Sequence, residues 1–173
     1  PNMLRVAGEL CDGVILHSFN TPTYTRDVVL PNLQKGAERL GRSIEDISIS
    51  GGGFIVAGEN EEELEKKKKE TKSRISFYAS TRSYGDVMRA QGWDDTHEKL
   101  YRMSIDGKWN QMGDEITDEM LDSFAVVGTY DQIAAKIKST YGKYATSVSF
   151  GMDTQNEEEE NILRDVIKNL KDS

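Results

Sequence analysis

Cysteine is nearly missing from this 173-residue chain, in which Cys11 stands alone. A single thiol excludes an intrachain disulfide and a cysteine-built metal cluster, and it suits a reducing compartment. Histidine is almost as scarce: His17 and His97 are the only two. Far apart in sequence and without a companion cysteine, they spell no metal site. No apolar run approaches the ~20 residues that span a bilayer. Positive charge is outweighed, with 22 Lys and Arg against 30 Asp and Glu, a formal charge of −8. That balance repels nucleic-acid backbones and anionic membrane surfaces, so a small molecule or another protein is the expected partner. With 3 Pro, 15 Gly and 36% hydrophobic residues, the composition is globular. A soluble, cytoplasmic protein is the expectation.

The pattern of apolar residues alternates helix and strand. Met3, Leu4, Ala7 and Leu10 recur at helical spacing, so a helix opens the chain and ends before "CDGVILHS". That segment carries the short apolar run Val14 to Leu16 of a buried parallel strand. At "TPTYT", Thr21 is a helix cap and Pro22 a first helical residue. The predicted core stripe of this helix is Leu30, Leu33, Ala37 and Leu40, with a kink at Pro31 and a stop at Gly41. "DISISGGGFIVAG" reads as a second strand interrupted by three glycines. Asn60 with Glu63 resembles a capping box ahead of "EEELEKKKKETK", a run best read as a solvated helical face. Consecutive short helices follow, so residues 60–124 are expected to form a helical insertion or lid within a single partial domain spanning 1–173. Thr129 with Gln132 predicts another capped helix, "TSVSFGM" a third strand, and "NEEEENILRDVIKNLK" a closing amphipathic helix.

Strands separated by helices imply right-handed crossovers and a parallel sheet. Three parallel strands are too few to close a barrel, and as an open sheet they leave long apolar edges. The sequence therefore reads as the last portion of a larger α/β barrel, with the other strands upstream.

Several ordered segments, "MLRVAGELCDGVIL", "RDVVLPNLQKGAERLGRSIEDISISGGGFIVAG", "RISFYASTRSYGDVMRAQGWDD" and "FAVVGTYDQIAAKI", resemble the C-terminal half of the luciferase-like oxidoreductases. Within these, the chain is most similar to the coenzyme F420-dependent group related to methylenetetrahydromethanopterin reductase. The resemblance implies the C-terminal portion of a (β/α)8 TIM barrel, about three parallel strands with a helical insertion between the last two. An F420 ring, or alternatively FMN, would lie at the C-terminal ends of the strands. It also implies hydride transfer between the deazaflavin and an organic substrate. An FMN-dependent monooxygenase is the near alternative, and a non-catalytic module assembling through its sheet edges a third reading. The family's usual catalytic residues fall outside these segments, so none is assigned here, and the 173-residue chain by itself is expected to be inactive. In relatives a turn before the first helix receives the cofactor phosphate, which here implicates the amides of Asn2 and Met3, in accord with the dipole of a helix N-terminus.

Other candidates come from the residues themselves. His17 follows an apolar strand, where a barrel places its active site, and could contact substrate or move a proton; a structural or surface role is the plain alternative. Gly51, Gly52 and Gly53 inside a strand signal a bulge or the close approach of a ligand such as a flat ring. Tyr78 and Tyr84 lie in an aromatic and hydroxyl-rich stretch able to line a substrate pocket, while Phe77 is expected in the core. The expected partners are a small-molecule substrate and either a second copy or the upstream half of the barrel.

Overall fold

The computed structural model describes residues 2–150, 152 and 154–171. The expected helices and parallel strands are present, but the strands are arranged differently from the sequence expectation. Helix α1 (Asn2–Leu10) leads into strand β1 (Gly13–Ile15), then α2 (Pro22–Tyr24), a π-helical turn (Thr25–Val29), α3 (Leu30–Ala37) and β2 (Ser48–Ser50). Strand β3 (Phe54–Gly58) follows the three glycines, and α4 (Glu61–Ala79), α5 (Gly85–Arg89), α6 (Asp94–Ile105) and α7 (Asp118–Phe124) separate it from β4 (Ala125–Thr129). Helices α8 (Tyr130–Tyr141) and α9 (Glu157–Lys171) complete the order.

The single second strand expected across the glycines is two strands in two sheets. β1 pairs in parallel with β2, Val14 opposite Ile49, while β3 pairs in parallel with β4, Val56 opposite Val127. Strand β4 was not anticipated, because its "AVVGT" is short and runs directly into α8. The expected third strand, "TSVSFGM", is reduced to one parallel bridge between Ser50 and Ser147, and its Gly151 lies outside the described residues. The Thr146 hydroxyl accepts the Ile49 N–H at 2.9 Å, occupying a donor on the edge of β2 that faces this segment.

Helices α1 and α3 cover one face of the β1–β2 ribbon. Leu33, Ala37, Ile47 and Ile49 are buried there against Leu4, Ala7 and Val14. Two glycines bring these helices into backbone contact, since a Cβ at Gly8 would lie 2.1 Å from the Leu33 carbonyl and one at Gly36 2.0 Å from that of Arg5. The opposite face is open, and Ile15 on it is 88% exposed. Leu40, expected in the core stripe, is exposed, as are Met3 and Leu10. The β3–β4 pair is covered on both sides. Phe54, Ile75, Leu100, Leu121 and Phe124 belong to the core shared with α4 to α7, whereas Val126, Ile133, Ile137 and Val166 pack with α8 and α9.

Local signals explain most boundaries. The Thr21 hydroxyl accepts the Tyr24 N–H at 3.0 Å, as a cap should. The kink expected at Pro31 is instead a widened turn just ahead of it, in which the Leu30 N–H donates to the Thr25 carbonyl. Pro31 then occupies the first turn of α3, where its missing N–H costs nothing. Gly41, at φ 69°, ends the segment in the left-handed region. Asn60 caps α4 by accepting the Glu63 N–H at 3.0 Å, while the Glu63 carboxylate reaches the Glu59 N–H rather than that of Asn60. Thr129 makes no side-chain capping bond, contrary to the capping box expected with Gln132.

Candidate functional site

The C-terminal ends of β1 and β2 lie side by side: the Leu16 N–H donates to the Ser50 carbonyl at 2.8 Å. Beyond these strands come Leu16 and His17 on one and Gly51 on the other. Helix α4 and the turn before α5 bring Tyr78 and Tyr84 onto His17 from a distant part of the sequence. The His17 ring centroid is 4.8 Å from that of Tyr78, with planes at 77°, and 5.2 Å from that of Tyr84. Tyr78 and Tyr84 are themselves 5.7 Å apart. Phe19 backs the group at 5.3 Å from Tyr84 and stacks on Phe124 at 4.5 Å. Such edge and tilted arrangements are those that aromatic quadrupoles favour.

A cavity of about 320 Å³ opens at this cluster, lined by His17, Phe19, Asn20, Tyr24, Tyr84 and the Leu4 side chain from the first turn of α1. The expected phosphate turn at Asn2 and Met3 is thus adjacent to the cavity through Leu4, and the first turn of α1 carries no acidic residue. Pro1 lies outside the described residues.

Below the rings, the segment from Ser18 to Thr25 is held by polar contacts. Asn20 is buried, and its Nδ2 donates to the Thr25 hydroxyl at 2.6 Å. Its Oδ1 is the sole buried side-chain polar atom among the described residues that lacks a hydrogen-bond partner. Thr21 serves two donors, since Gln91 Nε2 reaches the same hydroxyl at 2.8 Å and ties the loop to the helical region. Burial pushes the Tyr24 phenol up, and the nearby Asp86 carboxylate adds to this against the pull of Arg89.

The three glycines meet protein groups. Gly51 has φ 149° and donates its N–H to the Ser147 carbonyl at 3.0 Å. A Cβ at Gly52 would lie 2.9 Å from the Tyr141 ring, and one at Gly53 only 2.0 Å from the Phe124 carbonyl oxygen. The Gly53 N–H donates to the Tyr141 hydroxyl at 2.8 Å. These contacts account for the glycines by close protein packing where the chain passes from one sheet to the other. Burial pushes the Tyr141 phenol up to about 12.

The expectation for Phe77 is corrected. Phe77 is 53% exposed, packed loosely against Trp109 at 6.0 Å, while its neighbour Tyr78 turns inward. His97 is a buried structural residue whose Nδ1 lies 2.6 Å from the Ala79 carbonyl oxygen. Phe19, Asn20 and Tyr24 were missed as lining residues. The signal for them was their position in the loop directly after β1, where a barrel fold places its site. Among the described residues no three His, Cys, Asp or Glu side chains are grouped to hold a metal ion, and no helix is long and apolar enough to cross a membrane.

Comparison with known proteins adds the family. The chain is 36% identical over 137 residues to an uncharacterized protein of Mycobacterium tuberculosis, covering 79% of this chain and 40% of that protein. It is 25% identical over 152 residues to the 5,10-methylenetetrahydromethanopterin reductase of Methanopyrus kandleri, covering 87% of this chain and 42% of the reductase. A solved structure of the coenzyme F420-dependent tetrahydromethanopterin reductase from the same organism superposes with a TM-score of 0.72 at 24% identity, covering 94% of this chain and 45% of that one. The chain therefore has the α/β fold of that reductase and spans about two-fifths of the length of these relatives. The luciferase-like monooxygenase family model matches residues 1–147, and with that match over most of its length the chain belongs to the luciferase-like monooxygenase family.

Proposed function

We propose that this chain is the C-terminal part of an F420-dependent oxidoreductase, a partial TIM barrel in which the His17, Tyr78 and Tyr84 cluster forms one wall of the site for the deazaflavin and its organic substrate. The observation that carries the reading is the convergence of these three side chains at the C-terminal ends of β1 and β2, beside the first turn of α1. The similarity to a reductase whose solved structure is named for F420 supports this cofactor class.

The residues present suit one side of such a ligand. Aromatic faces and edges pack against a flat ring and keep water from it. The unpaired amides at the start of α1, free of acidic neighbours in that turn, suit a phosphate. F420, when bound, supplies the carbon that gives or accepts hydride. Tyr78 and Tyr84 hold the His17 ring between them, and the Asn20 to Thr25 bond fixes the loop beneath. The helices between β3 and β4 serve as the lid of this site.

A direct test is equilibrium titration of the chain with F420 and with FMN, followed by absorbance and fluorescence, in parallel with Tyr84→Ala. Saturable F420 binding that weakens about tenfold in the variant supports the assignment, a change equivalent to one lost contact of about 1.4 kcal/mol. Binding of FMN in preference to F420 favours the monooxygenase alternative. Failure of both to bind removes the cofactor reading from this chain.

Association follows from the open face. Ile15 on the open face of β1, and Met3, Val6 and Leu10 on the outer side of α1, are exposed apolar surface, which we propose is covered by a second copy or by the preceding half of the barrel.

A further inference from the structure

We infer that His17 meets the bound ligand as a hydrogen-bond donor through Nε2–H, recognising a carbonyl or anionic oxygen, and is not the proton acceptor of the site. The reasoning begins with the backbone. The Phe19 N–H donates to His17 Nδ1 at 2.9 Å. A peptide N–H can only donate, so Nδ1 must present its lone pair, and in the neutral ring the proton then belongs to Nε2. The Tyr78 and Tyr84 rings pack against the imidazole, at 4.8 Å and 5.2 Å between centroids, and resist its rotation out of this bond. His17 lines the cavity and is exposed, and among the described residues its Nε2 makes no protein hydrogen bond. The lone pair that could take a proton is thus committed to the backbone two residues on, while the N–H is left for a ligand.

His97 provides an internal contrast. Its Nδ1 lies 2.6 Å from the Ala79 carbonyl. A carbonyl oxygen only accepts, so this ring carries its proton on Nδ1. The two histidines of the chain therefore hold opposite tautomers, each imposed by a single backbone group.

The ligand-facing half of this inference rests on the proposed cofactor site, whereas the tautomer does not. Long-range ¹H–¹⁵N correlation spectra of the ¹⁵N-labelled chain at alkaline pH, where imidazoles are neutral, read the protonated nitrogen directly, with His17→Gln assigning the signals. The expected result is Nε2–H at His17 and Nδ1–H at His97. Nδ1–H at His17, or an averaged mixture of both forms, overturns the inference whatever the chain binds. The second arm uses F420 and FMN as probes. The Gln amide N–H stands near the place of Nε2–H, while the shorter Asn amide, with the same donors and acceptor, reaches only the place of Nδ1. His17→Gln should keep affinity within about threefold and His17→Asn should lose about tenfold. Equal losses in the two variants overturn the donor role. Absence of wild-type binding to either probe defeats the proposed function and the ligand contact together, leaving the spectrum to decide the tautomer alone.

Discussion

Tyr141 illustrates how one residue can serve two neighbours. Its ring fills the space left by the missing side chain of Gly52, and its hydroxyl accepts the Gly53 N–H. Replacing Tyr141 by Phe leaves that N–H without its acceptor and should cost about 1–3 kcal/mol in urea denaturation. Gly53→Ala is predicted to be worse, because the new Cβ meets the backbone carbonyl of Phe124 at 2.0 Å and neither group is free to move away. A loss of about 3 kcal/mol is expected. The same tyrosine yields a pH dependence. Its phenol ionises near 10.0 in the unfolded chain and at about 12 when folded, because burial disfavours the phenolate. The folded protein holds this proton more tightly, so the contribution is fully present below pH ~10 and is lost as pH rises through about 12. Tyr24 and Tyr144 are raised by burial in the same direction. Denaturation midpoints measured from pH 9 to 12 should therefore fall, and fall less in Tyr141→Phe.

At the scale of elements, two threonines that look alike in sequence have different roles. Thr21 caps α2 and also accepts from Gln91, whereas Thr129 precedes α8 without a side-chain capping bond. Thr21→Ala should cost about 1–2 kcal/mol, and Thr129→Ala below about 0.5 kcal/mol, in parallel urea unfolding. The contrast was not legible beforehand. Both residues precede good helix sequences, and the backbone at Thr129 already belongs to β4, whose pairing with β3 sets its geometry. The split of "SISGGGFIVAG" into two strands has a similar cause. Glycines permit the chain to leave one sheet and enter another, but only the presence of Phe124 and Tyr141 on either side shows that it does so.

For the whole molecule the decisive feature is asymmetry of cover. The β3–β4 pair has helices on both sides, while the β1–β2 ribbon has them on one, leaving Ile15 88% exposed. Parallel strands are ordinarily covered on both faces. If the proposed association covers this face, Ile15→Lys should lower the mass observed by sedimentation equilibrium without lowering the unfolding midpoint of the separated chain. An unchanged mass would place any association elsewhere. The apolar edge on α1 could not be recognised from spacing, because Met3 and Leu10 lie at core-like intervals yet face away from α3.

The sequence by itself determined the helices, their caps at Thr21 and Asn60 and the stop at Gly41, because these depend on contacts between residues close along the chain, and the alternation of helix and strand implied the parallel α/β class. It also determined the family, through ordered segments spread over most of its length, and it singled out His17, Tyr78 and Tyr84. Only the tertiary structure decided that these three share one cluster, that Phe77 turns outward beside them, that "AVVGT" is a strand and "TSVSFGM" barely one, and which nitrogen of His17 carries the proton. Each of those outcomes depends on partners distant in sequence or on the direction of a single backbone hydrogen bond, and neither is encoded in local spacing.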